Sequence, residues 1–373
     1  MAVRTGPPLI TLFAPKIRGG IGRNALHHAN ELNRRGFGVD IIVERQVPDF
    51  EGQLAAGIGL RLVPTTHSLM GLPWMLHYLL RRRPAAITVS NVRLAMLALR
   101  ARVLAHVPTR IVATVHNTYS LAYARLDPTK LKRRIAKYRK YYPHLDAIVA
   151  VSDGVGEDFS RFSDIPISRI TRIYNPIVTE DLDAKAAMDP QHPWLTSPTE
   201  PVIVSVGRLS EAKNFPLLVS AFERLRAERP ARLIIIGDGP LREALQARIA
   251  RSPFAQDFDL TGFRDNPFAF LSRADLFVLS SDWEGFGNAL AEALACGAPA
   301  VATDCPHGPR EILDGGRYGR LVPVGDKQAL STAMAEVLDD PPEPVHQREG
   351  AQRFTVARST DGYLDMMGLP RRI

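Results

Sequence analysis

Short apolar runs, each closed by a polar residue, glycine or proline and followed by helical spacing, constrain this chain more than any other feature. The first series is Leu9–Ala14 (bounded by Pro7, Pro8 and Pro15), Gly38–Val43, Ala86–Ser90, Arg110–His116 and Ala147–Ser152. The second is Pro201–Gly207, Arg232–Gly237, Leu276–Ser280 and Pro299–Asp304. Runs this short and this continuously apolar read as strands covered on both faces. Between them Asn24–Arg35, Phe215–Glu228, Arg242–Ala250 and Ala289–Cys296 carry helical periodicity, with Gly36 and Gly297 as stop signals. Strands alternating with helices predict an α/β fold of doubly wound parallel sheets.

The theme restarts after Asp181–Pro201, a stretch with four prolines and little periodicity that reads as a linker. A length of 373 residues suits two domains. The expected division is one Rossmann-like domain over 1–182, a second over 183–355, and a C-terminal helix in 356–373 that packs back toward the first domain. That helix is expected over Thr355–Met367.

Composition excludes several classes. Hydrophobic residues make up 45% and charged residues 23%, which is ordinary for a globular chain. Two cysteines, Cys296 and Cys305, build neither a disulfide framework nor a zinc site, and a reducing compartment is expected. The N-terminus shows no signal-peptide pattern, and no apolar stretch is long enough to span a bilayer. Charge is divided unevenly: residues 1–185 hold 27 Lys+Arg against 14 Asp+Glu (+13), and residues 186–373 hold 20 against 25 (−5). A basic half can face phosphates, an anionic membrane or an acidic substrate, or simply keep the protein soluble.

Several segments carry candidate chemistry. Arg18-Gly19-Gly20-Ile21-Gly22 lies between a strand and a helix, where glycines let backbone amides approach an anion; a plain tight turn explains it equally well. Ile236-Gly237-Asp238-Gly239-Pro240-Leu241-Arg242 has half of a dinucleotide fingerprint, with Arg242 where the third glycine belongs, so it reads as a turn. Gly207-Arg208 to Lys213-Asn214 puts two cations after a strand. They suit a diphosphate, Arg as a forked donor and Lys as a point charge, or are ordinary surface cations.

The most informative segment runs from Ser280 to Gly297. It places Glu284 in a loop, a helix start at Gly287, Asn288 and Ala289, and Glu292 one turn inside that helix. A helix start binds phosphate through its free amides, and flanking carboxylates accept hydrogen bonds from hydroxyls. Together these describe a nucleotide-sugar site; the competing reading is two solvated charges.

This segment, EGFGNALAEALACGAPAVATD, resembles the E-x7-E signature of retaining glycosyltransferases of family GT4, which have the GT-B fold. Other pieces match in order: the Gly-Gly turn, Val115-His116-Asn117, Val151 to Val155, Tyr174-Asn175-Pro176, Gly207 to Asn214, and Leu260-Thr261-Gly262-Phe263. Cys305-Pro306-His307-Gly308-Pro309-Arg310-Glu311-Ile312-Leu313 is similar to members that build bacterial surface glycans. The resemblance covers nearly the whole chain and implies two Rossmann-like domains facing a central cleft.

It also implies roles. Arg208 and Lys213 would hold the donor diphosphate and stabilise the leaving nucleotide. Glu284, with Gly285, Phe286, Gly287 and Asn288, would hold the transferred sugar, and Glu292 the ribose. Gly262 and Phe263 would lie beside the base, Gly19 and Gly20 beside the phosphate or sugar, and His116 beside the reacting carbon. From spacing alone His116 reads as a packed strand-end histidine, and His27 and His28 as structural or surface residues. The family's usual Glu before the Arg of the first helix is here Gly22, before Arg23.

The expected reaction moves a hexose or N-acetylhexosamine from a nucleotide diphosphate sugar, a UDP-sugar, to a glycan or lipid-linked acceptor with retention of configuration. It would use no metal and no cofactor beyond the donor as co-substrate. A glycosidase reading of two carboxylates fits poorly beside a phosphate-binding helix start. Leu69–Leu80, followed by Arg81-Arg82-Arg83, and the basic aromatic stretch Lys130–His144 suit the cytoplasmic face of an anionic membrane, or form a solvated helix and a buried one. The alternatives are a soluble small-molecule acceptor, a nucleic-acid-binding protein and a non-catalytic GT-B scaffold. No nucleic-acid motif is visible, and oligomeric state is left open.

Overall fold

A computed structural model of the protein describes residues 6–14, 19–44, 53–63 and 70–372. The chain forms two compact units, one running to Pro176 and resuming at Val356, the other over Ile177–Thr355.

Among the described residues, the first unit is built on seven strands: β1 (Leu9–Phe13), β2 (Gly38–Val43), β3 (Gly59–Leu62), β4 (Ala86–Val89), β5 (Arg110–Val115), β6 (Ala147–Ala150) and β7 (Ile170–Arg172). All pair in parallel, in the order β3-β2-β1-β4-β5-β6-β7. Among the described residues the helices between these strands are α1 (Gly19–Arg34), α2 (Leu72–Arg82), α3 (Val92–Ala105), α4 (Tyr119–Ala122), α5 (Pro128–Tyr141) and α6 (Asp153–Ser163). Their starts are set locally. Asn91 Oδ1 accepts the Arg93 and Leu94 amides at 3.0 Å, Asp127 caps Thr129 and Lys130, and Ser152 Oγ accepts Val155 N–H at 3.2 Å.

A buried carboxylate fastens α2 to the sheet. Asp40 on β2 is 1% exposed and accepts hydrogen bonds from Arg61, Arg82 and the Tyr78 hydroxyl at 2.8–3.1 Å. Burial pushes its pKa up, but those three donors outweigh it and hold the carboxyl below the ordinary range. The apolar segment at Leu69–Leu80 is thus mostly α2, with Met75, Tyr78 and Leu79 buried; Leu69 lies outside the described residues.

The second unit has six strands among the described residues: β8 (Val202–Val206), β9 (Arg232–Ile236), β10 (Phe258–Gly262), β11 (Leu276–Leu279), β12 (Ala300–Thr303) and β13 (Arg320–Val322). They too are parallel, in the order β10-β9-β8-β11-β12-β13. Its helices are α7 (Leu182–Ala187), α8 (Pro193–Thr196), α9 (Phe215–Glu228), α10 (Arg242–Ala250), α11 (Phe268–Leu271), α12 (Asn288–Cys296), α13 (Pro309–Ile312), α14 (Lys327–Asp339) and α15 (Pro344–Ala351). A last helix, α16 (Val356–Met367), belongs to the first unit. It lies against α1 and β5: Thr114 Oγ1 meets Tyr363 OH at 2.8 Å, His28 Nδ1 meets Thr360 Oγ1 at 3.1 Å, and Arg35 pairs with Asp361. His28 is therefore a packing residue, and burial, with the nearby His27 and His116, pushes its imidazole down to about 3.

The expectation of two doubly wound α/β domains holds, with three differences in detail. α1 begins at Gly19, five residues before the expected Asn24, so the Gly-rich segment is its first turn. Amides of a first turn lack intrahelical partners wherever the helix starts, which makes glycine less costly there than in the interior. Arg18 lies outside the described residues. The expected linker over Asp181–Pro201 is instead folded onto the second unit. Pro193 opens α8, His192 Nε2 meets Asp259 Oδ2 at 2.8 Å, and Ser272 Oγ donates to Ala186 O at 2.8 Å. Strands β3, β7, β10 and β13 gave no apolar run because they lie toward the sheet edges, where one side needs no continuous burial.

Candidate active site

In a doubly wound sheet, ligands bind beyond the carboxyl ends of the strands where the strand order reverses. In the second unit that point lies between β8 and β11. The loops leaving these two strands are bolted together. Asp282 N–H donates to Ala212 O at 2.8 Å, Ser280 Oγ to Lys213 O at 2.9 Å, and Asn214 Nδ2 to Asp282 Oδ1 at 2.7 Å. Asn214 also caps α9 through Leu217 N–H at 3.2 Å, so the residue after Lys213 is fixed from both sides.

Within this frame Lys213 Nζ is ion-paired to Glu284 Oε1. Ser281 Oγ donates to the same oxygen at 2.6 Å, and Glu284 N–H donates to Pro306 O at 3.2 Å. The Glu284 side chain is 8% exposed and that of Lys213 21%. Neither is a solvated loop charge. Arg208, on the same β8 loop, is exposed and forms no ion pair among the described residues. A fixed ammonium and an exposed guanidinium thus stand at one strand end.

Helix α12 starts beside them. Gly287 precedes it at φ +104°, a conformation that favours glycine, and the chain from Gly285 through Phe286 leads into its first turn at Asn288. Glu292, one turn in, is 4% exposed. It is a buried carboxylate, which sets aside the reading of it as a solvated helix residue. Gly297 ends the helix at φ +85°, as its position predicts. Burial pushes the thiols of Cys296 and Cys305 up to about 12, with Glu292 and Glu284 adding to the shift, so neither is a nucleophile at neutral pH.

Gly262 and Phe263 sit at the end of β10. The strand bulges between Leu260 and Gly262, Gly262 has φ +79°, and Phe263 is 65% exposed. A large aromatic left this open offers a stacking face. Arg242, which broke the dinucleotide fingerprint, donates to Leu260 O at 3.3 Å and lies over Gly262. Its neighbourhood to Gly262 had no signal in sequence. The Gly237–Gly239 loop is a spacer, as the turn reading holds: a Cβ on Gly237 would stand 1.9 Å from Gly207 O, and one on Gly239 2.4 Å from Leu209 O.

The first unit has its own reversal point, between β1 and β4. There a pocket of about 50 Å³ is lined by Phe13, Ala14, Ile21, Asn24, Ser90 and His116, among others. His116 follows β5 and is half-buried on the pocket wall, and burial pushes its imidazole down to about 4. It is neutral at physiological pH, with one nitrogen to donate and one to accept. Gly19 and Gly20 are exposed at the start of α1.

The chain is similar to known glycosyltransferases in sequence and in fold. The family profile described as Glycosyltransferase Family 4 matches residues 18–181, and that described as Glycosyl transferases group 1 matches 200–340. A Campylobacter jejuni N-acetylgalactosamine-N,N'-diacetylbacillosaminyl-diphospho-undecaprenol 4-alpha-N-acetylgalactosaminyltransferase is 31% identical over 244 residues, 65% of this chain and 64% of that one. The lipopolysaccharide core biosynthesis glycosyltransferase LpsE of Rhizobium meliloti is 28% identical over 61% of this chain and 65% of its own. The chain thus aligns with less than two thirds of the length of these relatives. Anabaena HepE, solved in complex with UDP, shares the fold at a TM-score of 0.79 and 18% identity, over 97% of this chain and 99% of that one.

Proposed function

We propose that this chain, which belongs to glycosyltransferase family 4, moves a hexose or N-acetylhexosamine from a UDP-sugar to a glycan or lipid-linked acceptor, with retention of configuration, in surface-glycan synthesis. The observation that carries the reading is the cluster of Lys213, Glu284 and the α12 start at the strand-order reversal of the second unit. When the donor's anomeric bond breaks, negative charge grows on the departing diphosphate. Lys213, Arg208 and the first-turn amides of α12 are the groups that stabilise it, and Lys213 and the amides do so from positions already fixed before the reaction. Glu284, with Gly285 to Asn288, binds hydroxyls of the transferred sugar. Glu292 binds the ribose, and Phe263 stacks on the base beside Gly262. The leaving phosphate takes the acceptor's proton on the face it leaves from, which retains configuration. The roles of His116, Gly19 and Gly20 in the first unit rest on the family resemblance, and the acceptor is assigned to that unit.

The UDP preference draws support from HepE, solved with UDP, and the lipid-linked acceptor from the undecaprenol-linked substrate in the Campylobacter relative's name. Calorimetry against a panel of nucleotides and UDP- and GDP-sugars tests the donor. One UDP-sugar is expected to bind, and Glu292→Gln to weaken it by about tenfold or more. A folded protein that binds none of the panel sinks the reading.

We further assign the outer face of α5 to the cytoplasmic face of an anionic membrane. Lys130, Lys132, Arg133, Arg134, Lys137, Arg139 and Lys140 are all exposed along it. The inner face is anchored by Tyr138, 1% exposed, whose ring lies 5.0–5.4 Å from those of Tyr119, Tyr142 and Phe159. A rigidly seated row of cations loses little freedom on docking, and each contributes about 1 kcal/mol near an anionic surface. No helix among the described residues is long and apolar enough to cross a membrane. Sedimentation with vesicles should rise with phosphatidylglycerol content and fall sharply when Lys132, Arg133 and Lys137 become Gln. Equal binding to neutral and anionic vesicles counts against it.

A further inference from the structure

We propose that His307 is a specificity-determining residue of the donor site, its imidazole contacting a hydroxyl of the transferred sugar; this rests on the donor-site reading above. The strand order sets β8, β11 and β12 side by side. Lys213 follows the first, Glu284 the second and His307 the third, so three adjacent strand ends carry the three side chains. The β12 loop is tied to the Glu284 loop on both sides of His307. Pro306 O accepts Glu284 N–H at 3.2 Å, and Gly308 lies so close to Phe286 that a Cβ there would stand 1.8 Å from Phe286 O. His307 is therefore held next to Gly285, in the loop assigned to the sugar.

Its backbone is in the left-handed region, φ +67°, which glycine or asparagine would occupy more easily. Pro306 and Pro309 on either side, and the Arg310–Asp304 pair that closes the loop at 3.0 Å, maintain this conformation. A half-buried side chain kept in a strained position beside a binding loop points to use of the side chain. Imidazole supplies both a donor and an acceptor, which suits discrimination between epimeric hydroxyls. Loop geometry alone would be served better by glycine, and that difference is the basis of the test.

The probes are UDP, UDP-glucose, UDP-galactose and their N-acetylhexosamine counterparts, measured by calorimetry on wild type, His307→Ala, His307→Asn and His307→Gly. UDP alone is expected to bind all four proteins within about twofold, which also reports an intact fold. The ratio of affinities between the preferred UDP-sugar and the others is expected to fall about tenfold in His307→Ala and His307→Gly, and to return largely in His307→Asn. An unchanged ratio in His307→Ala, a wild-type ratio in His307→Gly, or no preference in wild type overturns the proposal while leaving nucleotide binding standing. A wild-type protein that binds neither UDP nor any UDP-sugar overturns the donor site and this inference together.

Discussion

Lys213→Ala is expected to lower kcat at saturating donor by about 10²–10³-fold, the usual effect of removing one preorganised donor from developing negative charge. The same change should also destabilise the second unit. Glu284 is 8% exposed and would lose its ammonium partner while keeping the Ser281 Oγ hydrogen bond at 2.6 Å, and a buried carboxylate whose ion-pair partner is removed costs about 3 kcal/mol. Partial exposure of Lys213 brings that figure toward its lower end. The two effects separate in the double variant Lys213→Ala/Glu284→Gln. Removing the stranded charge should restore most of the stability and none of the rate. Recovery of kcat in the double variant, or an unchanged kcat in the single one, would show that Lys213 holds Glu284 in place and does no work on the leaving group.

Gly237→Ala should be among the most damaging single methyls in the second unit, with Gly308→Ala. Gly237 has φ +148°, and the new Cβ would stand 1.9 Å from Gly207 O and 2.9 Å from Gly207 C. These are backbone atoms with no rotamer to retreat into. Gly207 N–H in turn donates to Ile236 O at 3.0 Å, and Leu209 N–H to Asp238 O at 3.0 Å, so the clash forces apart the loops that seat Arg208 and Lys213. A loss of about 3–5 kcal/mol is expected, at the upper end for point changes. Gly315→Ala is the control: its φ is +69° but nothing lies within 4 Å of the added Cβ, so it should cost only about 1 kcal/mol. Urea unfolding read by Trp194 and Trp283, both in this unit, in a Trp74→Phe background makes the comparison. Equal losses would mean that the backbone angle, and not the close approach of the two loops, is what glycine serves.

The central strands and the long helices could be read from residue order because burial on both faces leaves an uninterrupted apolar run, as in Ile10 to Phe13 or Leu233 to Ile236, and because caps such as Gly36 and Gly297 act within one turn. α9 and α10 fall where their periodicity puts them, over Phe215–Glu228 and Arg242–Ala250. The edge strands carry no such run. Nor does the stretch over Asp181–Pro201 show in sequence that it is folded: His192 and Asp259, which fix it, are 67 residues apart.

The E-x7-E segment and its family were also determined by sequence alone, since a loop, a helix start and a carboxylate one turn inside it are all local relations. What sequence left open was which of the cations belonged with which carboxylate. Lys213 and Glu284 are 71 residues apart, and either could have been a surface charge. The strand order decided it. With β8 placed next to β11, and not next to β12 or β13, the loops after them meet, bury the carboxylate, and bring the ammonium to it. Parallel strands joined by helices place their neighbours by crossover, so adjacency at the carboxyl ends follows the packing of the whole sheet and has no counterpart in the spacing of residues along the chain. The demand for glycine at positions 237 and 308 has the same origin, because the atoms each would strike belong to a loop that only the folded sheet brings near.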